Sequence, residues 1–173
     1  MKIVHEEELF RGKLRGVRET VAREDGKTFR FEMIYHPGAV VIVPVRQDGQ
    51  LLMLRQYRHA LRTSIFEFPA GTLEIGEEPL GCAQREIREE TGFAAGHIES
   101  LGIIHPAPGF CNEVQHLFLA RNLSLDPAPQ DEDEIIEVIP MSIKEVEERI
   151  LNGDITDAKT IAALFRARLR GLL

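Results

Sequence analysis

Three glutamates in the middle of the chain have the types and the spacing to bind a divalent cation. Glu86, Glu89 and Glu90 stand at positions i, i+3 and i+4, so a helix would place their carboxylates on one face. Like charges at that spacing repel by roughly 0.2–0.5 kcal/mol per pair, so a plain surface helix gains nothing from them. A hard divalent cation bound between the carboxylates would make their proximity favourable, because Mg²⁺ binds oxygen ligands. For the three glutamates alone, a solvated acidic face is the alternative interpretation.

The segment that carries these glutamates has the ends of a helix. Pro79 suits the first helical position, where a missing N–H costs nothing, and Gly92 suits a left-handed stop after the last turn. Between them, Leu80, Ala83 and Ile87 recur at helical spacing and predict one apolar stripe. The sequence therefore predicts a helix that begins near Pro79 and ends before Gly92.

The glutamates also belong to a longer pattern that runs from Gly71 to Phe93. Written with U for an apolar residue, it is G-x5-E-x7-R-E-U-x-E-E-x-G-U, and its nine fixed positions are Gly71, Glu77, Arg85, Glu86, Ile87, Glu89, Glu90, Gly92 and Phe93. So many specified positions at fixed spacing make a chance match very improbable. The pattern resembles the signature of the Nudix hydrolases, and the chain as a whole resembles their ADP-ribose pyrophosphatase branch.

Length and composition indicate a globular protein of one ordinary domain. The chain has 173 residues, of which 43% are hydrophobic and 28% charged, and its net charge is −7. This balance disfavours nucleic acid as a partner, because it offers no basic stripe. Cys82 and Cys111 are too few for a disulfide framework and are expected to be reduced thiols. Without a signal-type or membrane-spanning apolar run, the sequence predicts a cytoplasmic protein with no membrane partner.

The N-terminal part predicts a β-hairpin. Residues 9–23 give a weak strand signal, and the turn at 24–27 has Asp-Gly at its centre. Phe29, Phe31, Met33 and Tyr35 then alternate with more polar residues, as in a half-buried strand. The break at 36–38 predicts a boundary near residue 37, with an N-terminal β sub-domain at 1–37 and the main domain at 38–173.

The main domain predicts a mixed α/β sandwich. Residues 39–45 form a continuous apolar run, typical of a buried central strand. Further strands are predicted at 51–56, 101–105, 114–120 and 135–139, with an exposed loop at 122–133 that is rich in Pro and Asp. Ser142 and Glu145 form a capping box that opens a helix ending at Gly153, and Asp157 caps a last helix.

The resemblance implies a fold and a metal site. The expected fold is a Nudix-type α/β/α sandwich with a mixed sheet, preceded by an N-terminal antiparallel hairpin or small sheet. Glu86 and Glu90 would be the principal metal ligands, Glu89 a further ligand or a water-orienting base, and the backbone carbonyl of Ala70 another oxygen ligand. Arg85 would fix the loop geometry through an ion pair with Glu77. The implied cofactor is Mg²⁺, with Mn²⁺ as the alternative.

The resemblance also implies residues that contact a nucleoside diphosphate substrate. Arg58 and Glu74 stand where related enzymes touch the substrate, and Pro108 matches a marker position of the ADP-ribose branch. Arg30 and Glu32 resemble the strand that lines the adenine pocket of a partner subunit. The acidic loop at 131–134 resembles a mobile loop that supplies a catalytic glutamate, with Glu134 preferred over Glu132.

These resemblances lead to one expected activity and two alternatives. The expected reaction is Mg²⁺-dependent cleavage of ADP-ribose to AMP and ribose 5-phosphate. A second hypothesis is a Nudix hydrolase of another nucleoside diphosphate sugar, such as GDP-mannose, and a third is a domain that senses a nucleotide without cleaving it. The apolar face of the hairpin predicts a homodimer in which the hairpin packs across the two-fold axis and each active site uses both chains.

Overall fold

The computed structural model describes residues 1–130 and 135–173, which form ten strands and three helices. The strands are β1 (Lys2–Arg11), β2 (Arg15–Ala22), β3 (Thr28–Tyr35), β4 (Ala39–Pro44), β5 (Leu51–Arg58), β6 (Thr63–Glu67), β7 (Ala70–Thr72), β8 (Phe93–Ile104), β9 (Gln115–Leu125) and β10 (Ile136–Met141). The helices are α1 (Pro79–Thr91), α2 (Ile143–Asn152) and α3 (Ala158–Leu169). The strands make three sheets, in the orders β1-β2-β3, β10-β5-β6 and β7-β4-β9-β8.

Strand β4 lies in the interior of the largest sheet, and its side chains are buried on both faces of that sheet. All six of its residues are buried, as the apolar run predicted. It pairs in parallel with β9 and antiparallel with β7, so the sheet is mixed. Because side chains alternate across a strand, Val40 and Ile42 pack with the buried face of α1, whereas Val41 and Val43 pack with α2 and α3. The predicted α/β/α sandwich is confirmed.

The helix ends follow the capping signals in the sequence. Helix α1 has Pro79 in its first turn and ends at Gly92, whose φ of 77° is left-handed. The hydroxyl of Ser142 and the carboxylate of Asp157 accept backbone N–H groups at the starts of α2 and α3. One detail of α1 was predicted wrongly: Leu80 is 47% exposed, and buried Cys82 takes its place in the apolar stripe. None of the helices in the described ranges is long and apolar enough to cross a membrane.

Two long strands extend beyond their predicted limits. Strand β8 begins at Phe93, although the sequence predicted a strand only from Leu101 onward. Strand β9 runs to Leu125, four residues into the predicted loop at 122–133. Small residues such as Ala95 carry no strand signal of their own, but Ala95 pairs with buried Leu123 across the ladder. The pairing of the two strands therefore supplies the structure that local preference does not indicate.

The N-terminal part is a three-stranded antiparallel sheet rather than a bare hairpin. The predicted hairpin is present as β2 and β3, and β1 adds a third strand along the free edge of β2. Strand β1 escaped prediction because its residues are exposed and largely polar, and its glutamates pair with Arg15 and Arg18. This sheet contacts the main body through Ile34, whose N–H donates to the carbonyl of Phe110 at 2.7 Å and whose carbonyl accepts from Asn112.

Gly92 at the end of α1 and Gly81 within it give a matched test of the helix cap. We expect Gly92→Ala to destabilise the protein by about 1 kcal/mol, because a left-handed residue with a Cβ is strained. Gly81 lies within the helix, and a Cβ there would meet no atom within 4 Å. We therefore expect Gly81→Ala to stabilise the fold by about 0.5 kcal/mol. Urea denaturation measures both changes, and equal midpoints for the two variants would contradict the assigned cap.

Candidate active site

The centre of the candidate site is a contact between helix α1 and the short edge strand β7. The carboxylate of Glu90 accepts the backbone N–H of Ala70 at 2.8 Å. The carboxylate of Glu86 lies against Gly71, where a Cβ would come within 1.7 Å of its Oε1 atom. Both glutamates are buried, with 8% and 2% of Glu86 and Glu90 exposed. This burial argues against the alternative of a solvated acidic face. The close approach of the Glu86 carboxylate explains why residue 71 has to be glycine.

Arg85 connects the glutamates of α1 to the loop that precedes the helix. Its guanidinium donates to Glu77 through Nε and Nη2 at 3.0 and 3.1 Å. Its Nη1 donates to Glu86 at 2.7 Å and to Glu89 at 2.9 Å. The hydrogen bond from Arg85 lowers the pKa of Glu77 to about 2. The structure thus contains the ion pair expected between Arg85 and Glu77, and the same arginine also orients two of the candidate ligands.

The donors at this contact have the chemistry that a hard divalent cation requires. They are the carboxylate oxygens of Glu86 and Glu90, and the carbonyl oxygen of Ala70 is the further ligand that the family resemblance implies. The bare Cα of Gly71 leaves room for the Glu86 carboxylate beside the Ala70 peptide. Within 1–130 and 135–173, no three His, Cys, Asp or Glu side chains are already gathered at metal-binding distance. Glu86, Glu89, Glu90 and Ala70 stay the predicted residues that would hold a cation.

A cleft of about 300 Å³ opens beside β7. It is lined by Ala70 and Gly71 and also by two cationic residues, Arg58 at the end of β5 and Lys159 in the first turn of α3. Burial is the largest single influence on Arg58 and lowers its pKa, but the hydrogen bonds to Glu67 and the negative charges of Glu67, Glu90 and Asp157 together outweigh burial and raise the pKa of the guanidinium. The acidic residues Glu113 and Asp157 also line the cleft. The cleft therefore combines the candidate metal ligand Ala70 with two cationic groups suited to phosphate and with carboxylates beside them.

Sequence reasoning missed the residues that hold these two cations. Glu67 is 0% exposed and pairs with both Arg58 and Lys159, and Lys159 also pairs with Asp157 at 3.0 Å. Asp157 was predicted only as a helix cap, and Lys159 was not singled out. The available signal was Glu67 itself, a charged residue between the two aromatic residues Phe66 and Phe68.

Other predicted site residues lie elsewhere. The described residues that line the cleft do not include Arg30, Glu32 or Glu74. Arg30 is exposed on β3, and Glu32 pairs with Arg18 of β2 at 2.8 Å. Glu74 is exposed in the loop before α1, where its backbone N–H donates to Glu77 at 2.9 Å. Glu134, the predicted loop glutamate, lies outside the described residues.

Comparison with known proteins identifies the family. Residues 35–164 match the family described as NUDIX domain. The chain belongs to the Nudix family. It is 36% identical to an ADP-ribose pyrophosphatase of Bacillus subtilis (strain 168) over 99% of this chain and 95% of that protein. It is 35% identical to a methanol dehydrogenase activator of Bacillus methanolicus over the same shares, and 31% identical to a GDP-mannose pyrophosphatase of Cronobacter sakazakii over 92% and 90%.

A solved structure supports the Nudix fold. A protein described as ADP compounds hydrolase matches with a TM-score of 0.87 at 22% identity, and the match covers 100% of this chain and 98% of that one. At this identity the likeness shows the fold alone. Nudix hydrolases generally use divalent metal ions, which agrees with the oxygen donors on α1 and β7.

The close approach at Gly71 predicts a sharp effect of one methyl group. In Gly71→Ala the new Cβ would overlap the carboxylate of Glu86, so we expect this carboxylate to move from its place on β7. Hydrolysis should fall by about tenfold or more, which corresponds to about 1.4 kcal/mol in the barrier, and affinity for a divalent cation should fall with it. Steady-state kinetics and calorimetric cation titration measure these effects, with Gly81→Ala in α1, where a Cβ would meet no atom within 4 Å, as the control. Wild-type values for both quantities in Gly71→Ala would refute the assigned contact.

Proposed function

We propose that the protein is a Mg²⁺-dependent pyrophosphatase that hydrolyses ADP-ribose to AMP and ribose 5-phosphate. The observation that carries this proposal is the contact of Glu86 and Glu90 with Ala70 and Gly71, next to a cleft lined by Arg58. The likeness to the Bacillus subtilis ADP-ribose pyrophosphatase supports the choice of substrate. A cytoplasmic location without nucleic-acid or membrane partners stays a prediction from composition.

The proposed chemistry assigns separate tasks to the residues of the site. Water attacks one phosphorus atom of the diphosphate, and the bond from that phosphorus to the bridging oxygen breaks. A bound divalent cation would stabilise the developing negative charge and lower the pKa of water. Glu86, Glu90 and the carbonyl of Ala70 would hold the cation. Glu89, whose side chain is 26% exposed, would be a further ligand or would orient the water, while Arg58 would bind phosphate oxygens.

GDP-mannose is the second candidate substrate. The likeness to the GDP-mannose pyrophosphatase of Cronobacter sakazakii favours it. Both compounds contain the same diphosphate, so the contact of α1 with β7 suits either. A domain that binds the nucleotide without cleaving it is less well supported, because a pure binder needs neither the pair Arg85-Glu86 nor the pair Glu89-Glu90.

One substrate screen separates these three activities. The purified protein would be incubated with ADP-ribose, GDP-mannose and other nucleotide sugars, each with Mg²⁺ and separately with Mn²⁺, and the released nucleoside monophosphate measured. The proposal requires that ADP-ribose has the highest kcat/KM and yields AMP. Turnover of GDP-sugars alone would establish the second candidate. Binding of all compounds without cleavage of any would establish the sensing function.

The proposed ligands make a strong prediction for two isosteric substitutions. We expect Glu86→Gln and Glu90→Gln each to lower turnover by about a hundredfold or more, since loss of a ligand removes several kcal/mol of transition-state stabilisation. Glu78→Gln is the matched control, because Glu78 is exposed before the same helix and its side chain makes no capping bond. Circular dichroism would verify the fold. Turnover above about a third of wild type at saturating Mg²⁺ would remove that residue from the set of ligands.

We also propose that residues 1–37 form a dimerisation sub-domain and that 38–173 form the hydrolase domain. Phe29 and Phe31 on β3 are each 40% exposed in the single chain, and Ile3 on β1 is 49% exposed. Ile3, Val21 and Phe29 are aligned across the three strands, so they share one face of the sheet. Covering large apolar side chains is worth roughly 1.5–3 kcal/mol each, which supports a homodimer formed through this sheet.

A shared active site would allow two inactive variants to complement each other. We expect a mixture of Arg30→Ala/Glu32→Ala with Glu86→Gln/Glu90→Gln to recover activity, because a mixed dimer contains one site with intact glutamates and an intact strand. Random exchange in a two-fold dimer would restore about a quarter of wild-type activity.

The control for this experiment is a chain that carries all four substitutions. Mixed with Arg30→Ala/Glu32→Ala, it should restore nothing, since no intact strand is then present. Light scattering that shows a monomer at micromolar concentration would exclude the dimer. Confirmed subunit exchange without recovered activity would exclude the shared site.

A further inference from the structure

We propose that Glu67 is a positioning residue that holds Arg58 and Lys159 as a paired site for the diphosphate of the substrate. The inference rests on the proposed function in one respect, namely that a diphosphate enters the cleft. Neither Glu67 nor Lys159 belongs to the Nudix pattern between Gly71 and Phe93. Burial and hydrogen-bond geometry support the role of Glu67, and a position in the lining of the cleft supports that of Lys159.

Glu67 is a fully buried carboxylate between two cations from different elements. It accepts two hydrogen bonds from Arg58, from Nε to Oε1 and from Nη2 to Oε2, each 2.7 Å long. The ammonium of Lys159, which is 92 residues away in sequence, donates to Oε2 as well. One carboxylate at the end of β6 thereby fixes a residue of β5 and a residue of α3 relative to each other.

The two cations keep unused donors after these bonds are formed. A guanidinium has five N–H donors, and the described bonds of Arg58 to Glu67 use one on Nε and one on Nη2. The edge formed by Nη1 and Nη2 remains, and this edge matches two oxygens of a phosphate group. An ammonium has three donors, and the ion pairs of Lys159 with Glu67 and, at 3.0 Å, with Asp157 occupy two of them, which leaves one. Both residues line the cleft beside Ala70.

Stability alone is a poor explanation for this buried cluster. The desolvation of buried charges offsets much of their attraction, and well-packed apolar residues often stabilise a protein as well or better. The chain already joins the same elements without charge, since the N–H of Phe68 donates to the buried hydroxyl of Thr160 at 2.8 Å. Unlike this neutral bond, the charged bonds of Glu67 fix the orientation of two cationic groups at the cleft.

The test measures the binding of inorganic pyrophosphate in the presence of EDTA. Titration calorimetry and amide NMR shifts would follow binding to the full-length wild type, to Glu67→Gln and to Lys159→Met. We expect each variant to bind pyrophosphate about tenfold more weakly, a loss equivalent to about 1.4 kcal/mol. In the hydrolysis reaction, KM should rise more than kcat falls, because binding is what the pair supplies.

Thr160→Val is the matched control. It removes the neutral bond that joins α3 to the segment after β6 and leaves all four charged residues in place. We expect it to lower the melting temperature while pyrophosphate affinity stays within about twofold of wild type. Lys159→Met keeps the test decisive if Glu67→Gln does not fold, because it removes the second cation without touching the carboxylate.

Each other outcome contradicts the inference. Unchanged pyrophosphate affinity in the folded variants would show that the pair does not bind the diphosphate. An equal loss in Thr160→Val would show that only the attachment of α3 matters, and absent binding to wild type would exclude the site. The proposed function fails on different data, namely no AMP from ADP-ribose, so the two failures are distinguishable.

Discussion

The structure depends on two buried carboxylates of α1 that lie against the backbone of β7. A buried carboxylate is costly unless charged or polar groups compensate it. Glu90 is compensated in part by the N–H of Ala70, and Glu86 by the guanidinium of Arg85. Gly71 makes the approach of Glu86 possible, since any Cβ would occupy the same space. The Nudix pattern therefore serves two purposes. It supplies the chemical groups, and its spacing allows helix α1 to pack against strand β7.

The two layers of helices hold this contact in place from opposite sides of the sheet. Cys82, Ala83 and Ile87 pack α1 on one face of β4, and Val146 and Ala163 pack α2 and α3 with the other face. Strand β7 has only three residues and pairs only with β4 among the described strands. Its position is reinforced at its N-terminal side, where Phe68 bonds to Thr160 and Glu67 bonds to Lys159. The backbone proposed to bind the metal and the cationic residues of the cleft are thus supported by the same few residues.

Local signals predicted much of the fold and only part of the candidate site. Pro79 and Gly92 predicted the two ends of α1, and the apolar run at 39–45 predicted the central strand. Both signals depend only on residues that are close together in the sequence. The start of β8 and the whole of β1 were missed, since their stability comes from pairing with other strands. The cluster around Glu67 was missed for the same reason. Its partner Lys159 is 92 residues away, and no local pattern reports such a contact.

The layout of the site is compatible with the different substrates that the names of the relatives give. Arg58, Glu86 and Glu90 suit a diphosphate and a cation, which ADP-ribose and GDP-mannose require equally. None of them distinguishes adenine from guanine by its chemistry. We infer that discrimination between the bases falls to residues away from the α1–β7 contact, and Arg30 and Glu32 on the exposed strand β3 are the proposed candidates. A dimer that brings β3 to the partner's cleft would join the catalytic part of one chain to the base-recognition part of the other. Substrate choice could then change through the N-terminal sheet while the buried carboxylates stay as they are.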